Sequence, residues 1–217
     1  MAAASLGTVL FGGTFDPPHL GHLSVIRSLR EQTNLPVLVV PTGDPGHRPR
    51  PVATPQQRAE MVEIALREPD DPLVTLSRHE VDQARPSFTV DSVTWLRARS
   101  PEHPLVLALG SDVAARLPGW KEVYRLLDQV KLLVFERPGS GQPADLVLQQ
   151  LWELGLPLAG AEVLPISAPT VDATAIRDRL SRGEECADLL PPGVSRYIKS
   201  HGLYRARFLS ADSFLEG

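Results

Sequence analysis

The chain has 217 residues, of which 42% are hydrophobic and 22% charged, and its formal net charge is −4. These values are typical of a globular protein of one domain with a sizeable core. An acidic chain of this kind is not expected to bind duplex nucleic acid. It also has no apolar run as long as a membrane span and no basic N-terminal segment of a signal peptide, so we expect no membrane partner.

Cys186 is the single cysteine, so no disulfide can form within the chain. A chain without disulfides fits a reducing compartment, and we predict a cytoplasmic protein. Glu184 and Glu185 precede the thiol, and neighbouring acids favour a raised thiol pKa. We therefore predict an unreactive side chain.

Short apolar runs alternate with amphipathic segments along the chain. The predicted strands are Thr8–Phe11, Pro36–Val40, Leu73–Leu76, Leu105–Leu109, Lys131–Phe135 and Glu162–Ile166. The predicted helices are Pro18–Gln32, a capped helix from Thr54 to Leu66, Thr89–Arg99, Trp120–Leu127, Ala144–Leu154, Asp172–Arg182 and Gly193–Ser200. This alternation predicts a doubly wound, mostly parallel α/β sheet, in which ligands bind at the carboxyl ends of the strands. We expect one domain over residues 1–205, helical from about 170, and a partly disordered tail over 206–217.

The turn between the first strand and the first helix is the most informative segment. Residues 11–22 read Phe-Gly-Gly-Thr-Phe-Asp-Pro-Pro-His-Leu-Gly-His. Gly12 and Gly13 allow a sharp turn and the close approach of a ligand. His19 and His22 share one face of the helix's first turn, where free N–H groups and the positive end of the helix dipole also lie. The segment predicts a phosphate-binding site, and the simpler alternative is an ordinary turn with solvated histidines.

Polar and basic residues also follow the later strands, at the edge where ligands are expected. The loop over 41–50 is rich in proline and glycine, and the residues of interest are His47, Arg48, Ser87, Thr89, Asp112, Trp120 and Arg137. Each has a simpler interpretation: a solvated loop for the first two, a helix cap for Ser87, Thr89 or Asp112, core packing for Trp120 and a surface charge for Arg137.

The helix beginning near residue 172 carries a second candidate phosphate site. Thr174 lies in its first turn, and Arg177 follows three residues later on the same face. A guanidinium there adds a fork of charged donors to the hydroxyl and the free N–H groups. Asp178 and Arg179 fall on a solvated face.

Together these motifs resemble the bacterial nicotinate-nucleotide adenylyltransferases, which belong to a nucleotidyltransferase superfamily with a GxFDPxHxGH signature. The resemblance covers residues 7–205 and departs from the family pattern at Gly43, where Asn is usual, at Gly46, where Pro is usual, and at Asp172, where Ser is usual. The signature positions are Gly13, Phe15, Asp16, Pro17, His19, Gly21 and His22. The remaining matches are Gly46–Arg48, Pro86–Thr89, Gly110–Asp112, Trp120, Arg137–Gly139, Asp172–Arg177 and Tyr197–Tyr204.

The resemblance implies a Rossmann-like enzyme that joins nicotinate mononucleotide to ATP, giving deamido-NAD and pyrophosphate. It implies catalysis by His19, His22 and Arg177, with Mg²⁺ on the substrate phosphates and no metal held by the protein alone. The implied ATP-binding residues are Gly12, Gly13, Thr14, Phe15, His19, His22, Gly110, Asp112, Thr174, Ile176 and Arg177. The implied mononucleotide-binding residues are Phe15, Thr42, Gly43, His47, Arg48, Thr89, Asp112, Trp120 and Arg137.

Four other functions stay open at this point. A dual-specificity enzyme would also accept the nicotinamide mononucleotide. A phosphopantetheine adenylyltransferase is usually shorter and lacks the Trp120 and Arg137 segments, and a lipid cytidylyltransferase usually carries an RTxGISTT-like segment that is absent from this sequence. A catalytically silent nucleotide sensor on the same fold is the fourth, and the intact histidines argue against it. The sequence is compatible with a homo-oligomer and does not fix the selectivity for acid over amide.

Overall fold

The computed structural model describes residues 7–44, 50–68, 70–83, 85–136, 142–166 and 168–205. The strands are β1 Thr8–Gly13, β2 Val37–Pro41, β3 Val74–Leu76, β4 Leu105–Gly110, β5 Lys131–Phe135 and β6 Glu162–Leu164. The α-helices are α1 Leu20–Thr33, α2 Pro55–Arg67, α3 Thr89–Arg99, α4 Ser111–Ala114, α5 Val123–Leu127, α6 Ala144–Glu153, α7 Ala173–Ser181 and α8 Pro192–His201, with a 3₁₀ turn at Leu117–Gly119. All six predicted strands are present.

The strands form one parallel sheet in the order β3-β2-β1-β4-β5-β6. The order reverses between β1 and β4, which pair from Thr8 opposite Leu105 to Phe11 opposite Ala108. In a doubly wound sheet this reversal opens a crevice at the carboxyl ends of the two strands. The predicted doubly wound α/β fold is therefore confirmed.

Both faces of the four central strands are largely buried because these strands are apolar on both sides. Leu10 of β1 packs in a cluster with β4, β5 and helices α3 to α6. Its neighbours Val9 and Phe11 point to the opposite face and pack with α1 and α2. This alternation gives a sheet covered by helices on each side, as continuous apolar strands require.

The connection between β4 and β5 differs from the prediction of one helix over Trp120–Leu127. Ser111–Ala114 forms a short helix and Leu117–Gly119 a 3₁₀ turn, and α5 begins only at Val123. Glu122 has a left-handed backbone with φ of 48°, and a residue in that conformation cannot belong to a right-handed helix. The two short elements span about one turn each, too little for helical periodicity to show in the sequence.

The C-terminal helices form a third cluster against α2. Met61 and Ala65 of α2 pack with Ile176 of α7 and with Val194 and Ile198 of α8. Cys186 lies in the same cluster at 1% exposure.

Burial, more than the acidic neighbours, raises the pKa of the Cys186 thiol. The direction of the predicted shift is confirmed, and its main cause is desolvation rather than nearby charge. None of the helices in the described part of the chain has both the length and the apolar character needed to cross a membrane.

Candidate active site

A cleft of about 1130 Å³ lies at the carboxyl ends of β1 and β4. It runs from the turn before α1 and the start of α7 to the start of α3 and the segment around Trp120. The cleft brings together residues that are far apart in sequence. The predicted site residues in its wall are Gly12, Gly13, Thr14, His19, His22, Thr42, Thr89, Gly110, Asp112 and Trp120.

His19 and His22 cap α1 reciprocally. The Nδ1 atom of His19 accepts from the backbone N–H of His22, and the Nδ1 atom of His22 accepts from the backbone N–H of His19, each at 3.3 Å. A ring nitrogen that accepts a hydrogen bond carries no proton, so the hydrogen of each neutral imidazole is on Nε2. The two rings stack with centroids 3.7 Å apart. The capping geometry thus favours two neutral imidazoles that can donate through Nε2.

The side chain of Phe15 packs in the protein interior against the turn before α1. Its side chain is 2% exposed, and its ring lies edge-on to His22 with centroids 4.8 Å apart. A Cβ atom on Gly13 would lie 2.9 Å from that ring. Glycine at position 13 therefore lets Phe15 pack against the turn, and the predicted contact of Phe15 with substrates would have to come from its main chain.

Asp16 ties the turn to two distant segments. Its carboxylate accepts from the backbone N–H of Val52 at 2.8 Å and of Ala53 at 3.1 Å, and from the hydroxyl of Tyr204 at 2.7 Å. Burial and the charge of Asp16 raise the pKa of Tyr204 far above its ordinary value, so the hydroxyl remains a donor. The signature aspartate thus holds the turn in place.

Arg58 is a functional residue that the sequence analysis missed. It is 0% exposed and reaches from α2 to the carboxyl ends of β1 and β2. Its guanidinium donates to the carbonyl oxygens of Thr14 at 2.6 Å, Thr42 at 2.7 Å and Gly43 at 2.8 Å. Desolvation has the largest effect on the pKa of Arg58 and lowers it. Nearby carboxylates, Asp16 most of all, act to raise that pKa. One buried cation therefore sets the positions of the two loops that form the floor of the cleft.

Thr174 and Arg177 contact each other at the start of α7. Arg177 donates to the carbonyl oxygen of Asp16 at 2.7 Å and to the hydroxyl of Thr174 at 3.2 Å. Asp172 lines the cleft and caps α7 by accepting from the backbone N–H of Thr174 at 2.9 Å. The side chain of Ile176 is 0% exposed in the third cluster, so its predicted contact with ATP would have to come from its main chain.

The opposite end of the cleft contains a hydrogen-bonded loop pair. The hydroxyl of Ser87 accepts from the backbone N–H of Gly43 at 3.1 Å, and Ser92 donates to the buried carboxylate of Glu80 at 2.6 Å. Helix α3 has Phe88 as its N-cap and no side-chain capping bond. The simpler interpretation of Ser87 or Thr89 as the cap of this helix does not hold, because Ser87 serves the Gly43 loop instead.

Replacing Gly43 by alanine is expected to lower the free energy of unfolding by about 1–3 kcal/mol. A Cβ atom at this position would lie 2.3 Å from the carbonyl oxygen of Glu80, and backbone cannot swing aside as a side chain can. Urea denaturation measures the change. Gly119→Ala is the matched control, since no heavy atom lies within 4 Å of its Cβ position; a Gly43→Ala protein as stable as this control would contradict the expected clash.

Three predicted site residues, His47, Arg48 and Arg137, lie outside the described residues. Within the described part of the chain, no group of three or more His, Cys, Asp or Glu residues is placed to hold a metal ion.

Comparison with known proteins decides the family. A profile of the Cytidylyltransferase-like family matches residues 10–179. A nicotinate-nucleotide adenylyltransferase from Salmonella typhimurium is 37% identical over 209 residues, which cover 90% of this chain and 97% of that protein. The chain belongs to the nicotinate-nucleotide adenylyltransferase family. It is a nucleotidyltransferase, as the sequence predicted.

Further similarities agree with this membership. A Yersinia enterocolitica relative is 41% identical over 210 residues, which cover 90% of this chain and 94% of its own. The fold resembles that of a Plasmodium falciparum nicotinic acid mononucleotide adenylyltransferase complexed with NaAD, with a TM-score of 0.72. That comparison covers 91% of this chain and 97% of the other at 18% identity, so it speaks for the Rossmann-like nucleotidyltransferase fold alone.

Proposed function

We propose that this enzyme transfers the adenylyl group of ATP to nicotinate mononucleotide, giving deamido-NAD and pyrophosphate in NAD biosynthesis. The observation that carries the proposal is the His19–His22 pair, which is locked at the N-terminus of α1 in the wall of the cleft. Relatives covering nearly the whole chain are named for this activity. A cytoplasmic location and a homo-oligomer stay predictions.

The reaction needs no nucleophile from the protein. The 5′-phosphate of the mononucleotide attacks the α-phosphorus of ATP, a new P–O–P bond forms, and the bond between the α- and β-phosphates breaks. Pyrophosphate leaves with the bonding electron pair. Catalysis then consists of positioning the two phosphates in line and stabilising the negative charge of the transition state.

The turn over residues 12–22 has the donors for this task. The capping pair favours protons on Nε2 of His19 and His22, and these would donate to α-phosphate oxygens as charge builds. Gly12 is exposed and lies in the cleft wall, so phosphate oxygens can approach the main chain there. The imidazoles would act as fixed dipoles rather than as cations.

Arg177 would hold the leaving pyrophosphate. Its bonds to Asp16 and Thr174 fix the guanidinium between the phosphate-binding turn and the start of α7. A fork of charged donors suits phosphate oxygens. Thr174 would add its hydroxyl at the same place.

Mg²⁺ would enter the site bound to the triphosphate of ATP. The residues present fit this mode, because Mg²⁺ keeps water and phosphate oxygens as ligands and needs no protein cage. Asp172, in the cleft wall at the start of α7, would be the carboxylate nearest the phosphate-binding end to accept from its water ligands. The ion would neutralise part of the charge on the leaving phosphates.

The mononucleotide would occupy the end of the cleft formed by Thr42, Thr89 and Trp120. Phe88 and Leu96 add an apolar wall there, which suits an aromatic ring. Asp112 lies in the first turn of α4 and also lines the cleft, where its carboxylate can accept from ribose hydroxyls.

Arg177→Ala is expected to raise the KM for ATP and to lower kcat, because the leaving phosphates lose a charged donor. Asp178→Ala, one position along the same helix on the exposed side, is expected to leave both constants nearly unchanged. Steady-state kinetics with varied ATP measures both. Equal losses in the two variants would contradict the assignment of the phosphate-facing side of α7.

Nicotinate mononucleotide is expected to be preferred over its amide by roughly tenfold or more in kcat/KM, about 1.4 kcal/mol. A carboxylate only accepts hydrogen bonds, whereas an amide also presents an NH₂ group toward the N–H donors at the start of α3. Steady-state kinetics with each mononucleotide at saturating ATP measures the ratio. Equal values would place the enzyme among the dual-specificity adenylyltransferases.

Pyrophosphate release with a panel of acceptors tests the proposed function. With ATP and Mg²⁺, we expect release with nicotinate mononucleotide and none with phosphopantetheine. Release with phosphopantetheine alone would move the enzyme to that branch, and no turnover with any acceptor would favour a silent nucleotide sensor.

A further inference from the structure

A lysine stands in the part of the cleft assigned above to the pyridine ring. Among the described residues that line the cleft, the side chains with a permanent positive charge are Arg116 and Lys121. The Nζ atom of Lys121 lies 4.6 Å from the centroid of the Phe88 ring. Phe88 itself lines the cleft, so the ammonium group is over the aromatic wall of that end.

Neighbouring acids hold this ammonium in place. Its Nζ atom lies 3.3 Å from Oδ2 of Asp91 and 4.0 Å from Oε1 of Glu122. The Lys121 side chain is 41% exposed, so it remains accessible to a ligand while its position is fixed from the helix side. A substrate carboxylate would be the third carboxylate around the ammonium group of Lys121.

The N-terminus of α3 also favours a negatively charged ligand group at this end of the cleft. Phe88 is the N-cap and makes no side-chain capping bond, and the first N–H groups of a helix have no partner within the helix. Thr89 and Val90 line the cleft. The partial positive charge of the helix N-terminus and the ammonium of Lys121 therefore lie at one end of the cleft.

We propose that Lys121 is a specificity-determining residue, selecting a carboxylate over a carboxamide on the pyridine ring. The inference rests on the proposed function and deepens it. The ammonium attracts the full charge of a carboxylate, whereas a neutral amide offers it only a dipole. Because the group is partly exposed and already paired with Asp91, its contribution to the preference is about three- to fivefold.

The experiment compares the ratio of kcat/KM for nicotinate mononucleotide to that for nicotinamide mononucleotide in wild type, Lys121→Met and Lys121→Arg. Both substrates are measured on the same preparation at saturating ATP and Mg²⁺, so a loss of folded protein cancels in the ratio. Lys131→Met is the matched control, because Lys131 begins β5 at the end of the strand opposite the cleft and pairs with exposed Glu162.

We expect Lys121→Met to lower the ratio by about three- to fivefold, mainly through a higher KM for the acid. Lys121→Arg and Lys131→Met should keep the wild-type ratio. An equal loss for both substrates, or an unchanged ratio, in Lys121→Met would overturn the inference. Failure of the proposed function is distinct, since wild type would then form no product from either mononucleotide.

Discussion

His19→Ala and His22→Ala are each expected to lower kcat by roughly 10²-fold or more, because a donor placed at the developing charge contributes about that much. The Nδ1 atoms are engaged with the backbone, which leaves Nε2 of each ring as the donor toward phosphate. Pyrophosphate release at saturating substrates measures kcat. Near-normal kcat in both variants, with folding intact, would mean that the imidazoles do not stabilise the transition state.

Two further variants separate catalysis from capping. His19→Asn keeps an N-cap side chain that can accept from the backbone, so it should preserve stability and still lose kcat. His201→Ala removes an exposed imidazole that stacks on Tyr197 at 3.9 Å, far along α8 from the turn, and should retain full activity. A His19→Asn enzyme with full kcat would assign His19 to capping alone.

Arg58→Ala is expected to lower the free energy of unfolding by about 3 kcal/mol or more. It leaves three carbonyl groups, the buried one of Gly43 and the partly buried ones of Thr14 and Thr42, without the donor that serves them. It also removes a buried cation that attracts the buried carboxylate of Asp16. Urea denaturation followed by circular dichroism measures the change.

Arg67→Ala is the control on the same helix. Arg67 is 71% exposed and pairs with Glu63 one turn earlier at 3.0 Å, and an exposed pair of this kind contributes less than about 1 kcal/mol. Similar losses in Arg58→Ala and Arg67→Ala would show that the buried hydrogen bonds of Arg58 add little to stability.

The fold could be predicted from the sequence because its strands are mostly apolar and its helices are amphipathic. β5 and α3 have the predicted boundaries, and α2 has the predicted capping box between Thr54 and Gln57. The start of the helix predicted over Trp120–Leu127 was wrong, since α5 begins at Val123, and the short elements over 111–119 were not predicted. These short turns and the left-handed Glu122 depend on local backbone geometry that hydrophobic periodicity does not record.

The parts of the site that lie in one contiguous motif could be predicted from the sequence. Contacts between residues that are distant in the sequence could not. The paired histidines could be placed from the sequence, whereas Arg58 contacts residues 15 to 44 positions away. A usable signal was present, since Arg58 falls on the same helical stripe as buried Met61, Val62 and Ala65. A cation on an apolar stripe predicts a buried charge with fixed partners.

The same limit explains the role of Gly43. In the sequence, glycine at this position suggests only a lost ligand contact. The sequence cannot show that the carbonyl oxygen of Glu80 occupies the space that a side chain at position 43 would need. The packing of Phe15 and Ile176 was also unpredictable from the signature alone, because a motif marks positions without telling which side chains face the ligand.

Mass-spectrometric identification of the product from ATP, nicotinate mononucleotide and Mg²⁺ tests most directly whether the enzyme transfers an adenylyl group. We expect deamido-NAD and pyrophosphate in equal amounts, with neither formed when the mononucleotide is omitted. Pyrophosphate formed without a dinucleotide, or ADP in place of pyrophosphate, would contradict adenylyl transfer.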